Sequence, residues 1–227
     1  MKILLVEDEP DLASNVTDFL KGEMFVCEWA KDKESAVDKI ISYDYDIVIL
    51  DIMLPDGSGL DVLKALKESG SEAGVLIVSA KNSLDDKLLG FEGGADDYLT
   101  KPFHLSELNA RLLALYRRKG FQGATRVAFN EIEIDTVSDE VFVNGASIVL
   151  TRKEFELLRY LFANRNRVLS KHSIAEHLWG DHVDLSDSFD FVYQHIKNLR
   201  KKLMKAGAGN YIRTIYGMGY KFGAEEA

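Results

Sequence analysis

Four charged side chains sit where short apolar runs end. Glu7 and Asp8 follow Ile3–Val6, Asp51 follows Ile47–Leu50, and Lys101 follows the short run Tyr98–Leu99, just before Pro102. In an open parallel sheet, ligands bind beyond the carboxyl ends of the strands, and all four side chains fall there. Three carboxylates in one place repel one another unless a hard cation sits among them, and Mg²⁺ suits an all-oxygen site. Lys101 adds a fixed positive charge. Such a site can take a phosphoryl group onto a carboxylate oxygen, because the cation and the lysine neutralise charge on the phosphoryl oxygens. Asp51 is the preferred nucleophile, since it ends a central buried run and Met53 and Pro55 shape the turn after it. The Met53 carbonyl would complete the metal shell, and Ser79, at the end of Val75–Val78, would offer a hydroxyl. Singly, each residue has a plainer reading: an acidic pair after a strand compensates a helix dipole, and Lys101-Pro102 is an ordinary turn. Their joint placement at one sheet edge is what favours chemistry.

The elements that must position them are legible as periodicity. Residues 1–119 alternate apolar runs (Ile3–Val6, Met24–Cys27, Ile47–Leu50, Val75–Val78, Tyr98–Leu99) with amphipathic stretches such as Asp11–Lys21 and Glu34–Ser42. That alternation predicts an α/β doubly wound fold with a five-stranded parallel sheet. Residues 120–125 lie in a glycine-bearing, aperiodic stretch and are read as a linker. Beyond it, Glu131–Asp135 and Glu140–Val143 alternate as strands, with Asn144-Gly145 as a turn. Thr151 and Glu154 form a capping box that opens a helix over Thr151–Ala163. Helices follow over Ser170–Leu178 and Asp187–Lys205, and the chain closes with a hairpin from Tyr211–Ile215 to Tyr220–Phe222. Residues 126–227 therefore form a second, α+β domain.

Composition narrows the class. The 227 residues are 46% hydrophobic and 29% charged, enough for packed cores. The single cysteine, Cys27, excludes a disulfide framework and a cysteine-based zinc cluster. The opening run Ile3–Val6 is too short for a signal peptide, and no stretch reaches the roughly 18 apolar residues of a membrane helix. A soluble, cytoplasmic protein without membrane contact is expected. The net charge of -9 argues against nucleic acid only as an average. Residues 1–119 hold 23 acidic and 14 basic side chains, residues 120–227 hold 14 of each, and Phe191 to Gly223 hold seven Lys or Arg and no acid. At about 100° per residue, the long helix places Phe189, Val192, Ile196, Leu199 and Leu203 on one face. Gln194, Lys197, Asn198, Lys201 and Lys205 fall opposite, flanked by Arg200 and Lys202. Amides and cations on one exposed face suit base edges and phosphates of a major groove, and a hairpin directly after the helix adds a wing.

Residues 1–119 resemble the receiver domain of bacterial two-component response regulators, through KILLVEDEP, DIVILDIMLPDGSGLDVL, VLIVSA and GADDYLTKPFHLSEL. The resemblance implies a flavodoxin-like fold with Asp51 as phospho-acceptor. It implies Mg²⁺ held by Asp8, Asp51 and the Met53 carbonyl, with Glu7 acting through water. It further implies Ser79 and Tyr98 as a switch pair and Lys101 as the pocket lysine. Residues 126–222 resemble the winged helix-turn-helix effector domain of the OmpR/PhoB family, through LTRKEFELLRYL, NRNRVLSKHSIAEHLWG, HIKNLRKKL and YIRTIYGMGYKF. That makes the long helix the recognition helix and 211–222 the wing, with Lys197, Asn198, Arg200 and Lys201 facing DNA and Arg152 and Lys171 as weaker phosphate candidates. Tyr216 stands where the family usually has a minor-groove arginine, so Arg213 is the candidate substitute. Asp190 stands where the family commonly has a basic residue.

The resemblance also implies a homodimer through the fourth and fifth receiver helices. The complementary pairs are Lys87 with Glu107, Asp97 with Arg111, and Asp96 with Arg118, around Leu88, Phe91 and Leu108. A sensor histidine kinase and double-stranded DNA are the implied partners, with RNA polymerase as a further one. Two other readings compete. A phosphohydrolase of the aspartyl-phosphate type wants a second acid two residues after its nucleophile, where this chain has Met53. A regulator that binds DNA constitutively would not need the intact acidic cluster. Trp29 is a candidate optical probe of the pocket, at a distance the sequence does not fix.

Overall fold

The computed structural model describes residues 1–121, 123–180 and 189–224. The chain divides into two compact units, Met1–Lys119 and Gly120–Ala227. The first alternates β1 (Lys2–Val6), α1 (Pro10–Gly22), β2 (Val26–Ala30), α2 (Lys33–Ser42) and β3 (Ile47–Leu50). A small hairpin, β4 (Met53–Leu54) and β5 (Gly57–Ser58), leads into α3 (Gly59–Glu68), then β6 (Gly74–Ser79), α4 (Leu84–Glu92), β7 (Asp97–Thr100) and α5 (Leu105–Phe121). The sheet order is β2-β1-β3-β6-β7, all parallel. This is the flavodoxin-like doubly wound topology, whose switch point lies between β1 and β3. The runs in β1, β3 and β6 are buried along their whole length, as strands covered on both faces must be.

Most boundaries fall within a residue or two of the sequence reading, and two of the differences have a clear physical reading. The second strand begins at Val26 rather than Met24 and reaches Ala30. Met24 has φ of 65° and donates its N–H to the Lys21 carbonyl at the end of α1, so the first of the apolar residues is turn. The strand instead continues through Glu28 and Trp29, which an apolar run does not reveal. Helix α5 runs to Phe121, two residues into the expected linker, and Gln122 lies outside the described residues.

The second unit opens with an antiparallel sheet of β8 (Arg126–Phe129), β9 (Ile132–Asp135), β10 (Glu140–Val143) and β11 (Ala146–Ile148), in the order β11-β10-β9-β8. Asn144 and Gly145 both take positive φ and close the β10–β11 turn, as an Asn-Gly pair favours. Then come α6 (Arg152–Ala163), β12 (Val168–Leu169), α7 (Lys171–Trp179), α8 (Asp190–Lys205), β13 (Ile212–Ile215) and β14 (Gly219–Phe222). Helix α6 carries the full capping box: Glu154 N–H donates to Thr151 Oγ1, and Thr151 N–H donates to Glu154 Oε2. Strands β12, β14 and β13 form the wing sheet. Gly219, at φ of 145°, lets the wing close on β12, because a Cβ there would sit 2.0 Å from the Leu169 carbonyl oxygen. This is the winged helix-turn-helix architecture. The expected start of α8 at Asp187 lies outside the described residues. Among the described residues no helix is long and apolar enough to cross a membrane.

Candidate functional site

The parallel register carries Glu7, Asp51 and Lys101 to one end of the sheet. Lys101 Nζ donates to both Glu7 oxygens, at 2.8 and 2.7 Å, and to Asp51 Oδ2 at 2.6 Å. Carboxylate oxygens of Glu7, Asp8 and Asp51 lie within 4.8 Å of one another. Glu7 and Asp51 are buried and Asp8 is exposed, so the cluster opens to solvent on the Asp8 side. The Met53 N–H donates to Asp51 Oδ1 at 2.9 Å, which fixes the second oxygen of that carboxylate. Gly59 allows the loop after β3 to fold this tightly: a Cβ there would lie 1.9 Å from the Asp51 carbonyl oxygen.

The electrostatics are those of an overloaded site. Burial pushes the Glu7 carboxyl above its ordinary value; the Lys101 ammonium pulls it down, and the Asp51 charge adds to the rise. Burial would lower Lys101, but its hydrogen bonds to Asp51 and Glu7 outweigh that and hold it above the usual lysine range. Three carboxylates against one ammonium leave two negative charges in a half-closed pocket. The donor set is all oxygen, with no imidazole or thiol, and a hard divalent cation would balance the charge. The residues present therefore fit Mg²⁺.

Around the pocket, Ser79 is fully buried at the end of β6, where its Oγ accepts the Lys81 N–H at 3.3 Å. Tyr98 is buried, and its hydroxyl donates to the Lys81 carbonyl at 2.7 Å. Burial holds its phenol above the ordinary tyrosine value. The sequence reading named the serine and the tyrosine but not Lys81, whose backbone meets both. Only the short spacing from Ser79 could have hinted at it.

Four of the charges expected to pair between two receivers, Arg111, Asp97, Glu107 and Asp96, have ion-pair partners within the chain. Arg111 bonds Asp97 at 3.0 Å and Glu107 at 2.9 Å. Asp96 takes Lys119 at 2.8 Å, not Arg118, and Arg118 is exposed. Lys87 Nζ stands 5.9 Å from the Tyr98 ring centroid. Leu88 and Phe91 are exposed at 47% and 46%, but Leu108 is fully buried. Leu108 therefore faces the receiver core and is no centre for a docking face.

In the second unit, Val192, Ile196, Leu199 and Leu203 of α8 are buried, while Gln194, Lys197 and Lys201 are exposed. Asn198 is half-buried and accepts a hydrogen bond from Gln194 Nε2 at 3.2 Å. Arg200 departs from the expected DNA-facing set. Its Nη2 donates to the Ile212 carbonyl at 2.7 Å and lies 3.4 Å from Thr214 Oγ1, so it braces α8 against β13. Lys202 likewise turns inward, to Glu154 Oε2 at 2.6 Å and the Val149 carbonyl at 3.1 Å. Arg213 is half-buried and donates to the Ala224 carbonyl at 2.9 Å. Tyr216 is 93% exposed on the wing turn. Of the weaker phosphate candidates, Arg152 is tied to Glu156 and Asp139, whereas Lys171 is exposed.

Two family models match this chain. One, described as a response regulator receiver domain, covers residues 3–113. The other, described as a transcriptional regulatory protein C terminus, covers residues 145–222. The transcriptional regulatory protein CiaR of Streptococcus pneumoniae is 41% identical over 97% of this chain and 97% of its own length. The response regulator ArlR of Staphylococcus aureus is 37% identical over 96% of this chain and 98% of its own. Among solved structures, the receiver domain of the Francisella response regulator 1452 is 33% identical, covering 52% of this chain and 97% of that one, with a TM-score of 0.50.

Proposed function

The chain belongs to the OmpR/PhoB family of response regulators, and from that premise we propose that Asp51 is the residue whose phosphorylation switches its DNA binding. It is a DNA-binding two-component regulator, and a histidine kinase and DNA are its implied partners. The observation that carries the assignment of Asp51 is Lys101 Nζ bonded at once to Asp51 and Glu7, with Asp8 in the same cluster. A free Asp51 oxygen lone pair attacks the phosphorus of a phosphohistidine. The O–P bond forms as the P–N bond breaks, and the imidazole leaves with the electron pair. Lys101 meets the charge on the transferred group from one side. Glu7, Asp8, Asp51 and the Met53 carbonyl would hold Mg²⁺, which supplies charge neutralisation at the phosphoryl oxygens. Ser79 would donate its hydroxyl to a phosphoryl oxygen. A rotation of Ser79 toward that oxygen would strain its long contact with the Lys81 N–H and so reach the segment that also holds the Tyr98 hydroxyl.

The proposal extends to the output. The face of α4, β7 and α5 forms a homodimer in which Arg111, Asp97, Asp96 and Glu107 exchange intrachain partners for crossed ones, and Lys87 and Arg118 pair with Glu107 and Asp96 of the second copy. Exposed pairs contribute only about 0–1 kcal/mol each, so such an exchange sets register at little cost. Gln194, Lys197, Asn198 and Lys201 read or neutralise the major groove. Arg213 and Tyr216 meet DNA from the wing, and Arg200 holds the helix and wing in one unit. A promoter-bound regulator meets RNA polymerase, the further partner proposed. The proposed location is the cytoplasm, where kinase output and promoter DNA are both accessible.

Asp51→Asn tests the core of this reading. Incubation with a small phosphodonor and Mg²⁺ should add one phosphoryl mass to the native chain and none to the variant, and DNA affinity should rise only in the former. Labelling of the variant would displace the acceptor to another residue.

A further inference from the structure

We propose that residues 29–34, the end of β2, the connection after it and the start of α2, form the scaffold that positions both acidic loops of the phosphorylation pocket, with Trp29 on the scaffold and Asp56 on the second loop as the positioning residues. This rests on the magnesium reading of that pocket.

The first tie holds the loop after β1. Glu7 N–H donates to the Ala30 carbonyl at 3.1 Å, and the Trp29 indole N–H donates to the Glu7 carbonyl at 2.8 Å. Both main-chain groups of Glu7 are thus held by consecutive residues of the edge strand. The Glu7 side chain accepts from Lys101 in the pocket and, more weakly, from the Glu9 N–H at 3.4 Å. Asp8, the exposed acid, follows directly. Trp29 is itself 40% exposed, so its indole is not a core-filling ring. A side chain of that size at a sheet edge, spending its one polar hydrogen on the backbone of a pocket residue, acts as a strut.

The second tie holds the loop after β3. Asp56, in the turn of the β4–β5 hairpin, accepts from Lys33 N–H at 2.8 Å and Glu34 N–H at 3.0 Å, one donor on each oxygen. Helix α2 already has its own cap: Asp32 Oδ1 accepts from Ser35 N–H at 2.9 Å. A second carboxylate reaching in from 22 and 23 residues away is a long-range anchor rather than a local cap. Lys33 adds to it. Its Nζ lies 3.6 Å from Asp61 Oδ2, and its side chain covers Gly57, where a Cβ would sit 2.8 Å from Nζ. The hairpin so pinned begins at Met53, whose N–H fixes Asp51 Oδ1 and whose carbonyl is assigned to the ion. Two loops that contribute four pocket groups are therefore fastened to the same six residues.

The test uses the full chain. Calorimetric titration with MgCl₂ should give tight binding in the native protein and about tenfold weaker binding in Trp29→Phe and in Asp56→Ala, the range for outer groups that orient ligands. Asp56→Asn keeps one acceptor oxygen and should fall between. Melting of each variant by circular dichroism checks that it folds. In a Trp179→Phe background Trp29 is the one remaining tryptophan, and its emission should change on adding Mg²⁺ and stay unchanged when Asp8→Asn is added. Folded variants with native Mg²⁺ affinity, or a silent Trp29 in a chain that binds Mg²⁺, would overturn the scaffold while leaving the pocket intact. No Mg²⁺ uptake by the native chain would overturn the pocket reading and the scaffold with it.

Discussion

Glu7 of the receiver and Glu154 of the effector domain are nearly the same object. Each carboxylate is buried, and each has a lysine nitrogen within 2.7 Å. Their titrations nevertheless move in opposite directions. Glu7 is pushed up, because burial and the neighbouring Asp51 charge outweigh a lysine it must share. Glu154 is also penalised by burial, but its hydrogen bonds to Lys202 and to the Thr151 backbone and hydroxyl more than compensate, so it is held down. An ion pair's character is set by its further partners. In the effector domain one carboxylate has donors to spare and fastens α6 to α8. In the receiver, Glu7 and Asp51 share one ammonium with Asp8 beside them, and the shortfall of positive charge is what a cation can relieve.

The comparison can be broken most sharply at the lysines. Lys101→Met should cut the rate of phosphoryl uptake by Asp51 by about 10²–10³-fold, the usual loss for one charge-stabilising donor, read by intact mass against time. Native-like uptake would show that the shared lysine is structural. Lys202→Met should instead cost the effector domain about 1–2 kcal/mol of unfolding free energy, the penalty for leaving Glu154 short of a donor at a partly exposed lysine, and leave phosphoryl uptake alone. Amide exchange over α6 and α8 during denaturation checks this. Mg²⁺ at ten times its dissociation constant should stabilise the receiver by about 1.4 kcal/mol through linkage and the effector not at all. A chelator should reverse it. Glu7→Gln, which removes one competing charge, should leave receiver stability unchanged or raise it by up to ~1 kcal/mol, whereas Glu154→Gln should lower that of the effector.

The smallest effect is a pH dependence. Glu154 has a folded-state value below its unfolded one, so its contribution is fully present above the unfolded glutamate pKa of about 4.3 and is lost as pH falls through the folded value. Glu154→Gln should flatten effector stability over that acid window. An unchanged slope there would mean that other carboxylates set it.

Much of this was legible as periodicity. The runs Ile47–Leu50 and Val75–Val78 are buried strands where expected, because a parallel strand covered on both faces has no polar position to disguise it. The capping box at Thr151 was equally plain, since both partners lie within one turn. Strand β2 was displaced because Glu28 and Trp29 interrupt the run that should announce it. Strand β8 was not anticipated: Arg126 and Ala128 are exposed on either side of the buried Val127, but Ala128 is apolar and hides that alternation in the sequence. Leu108 and Arg200 were misplaced for a different reason. A helical wheel gives a side chain's angle but not which neighbour stands at that angle. Leu108 found the core, and the Ile212 carbonyl claimed Arg200.

By itself, the sequence determined which elements form and which residues stand at their ends, because strand and helix periods and caps are local and need no knowledge of neighbours. Only the tertiary structure decided who shares whom: that Lys101 divides itself between Glu7 and Asp51, that Asp96 goes to Lys119, and that Asp56 holds a helix 22 residues upstream. Those are choices among partners of like chemistry, and in a folded chain distance alone settles them.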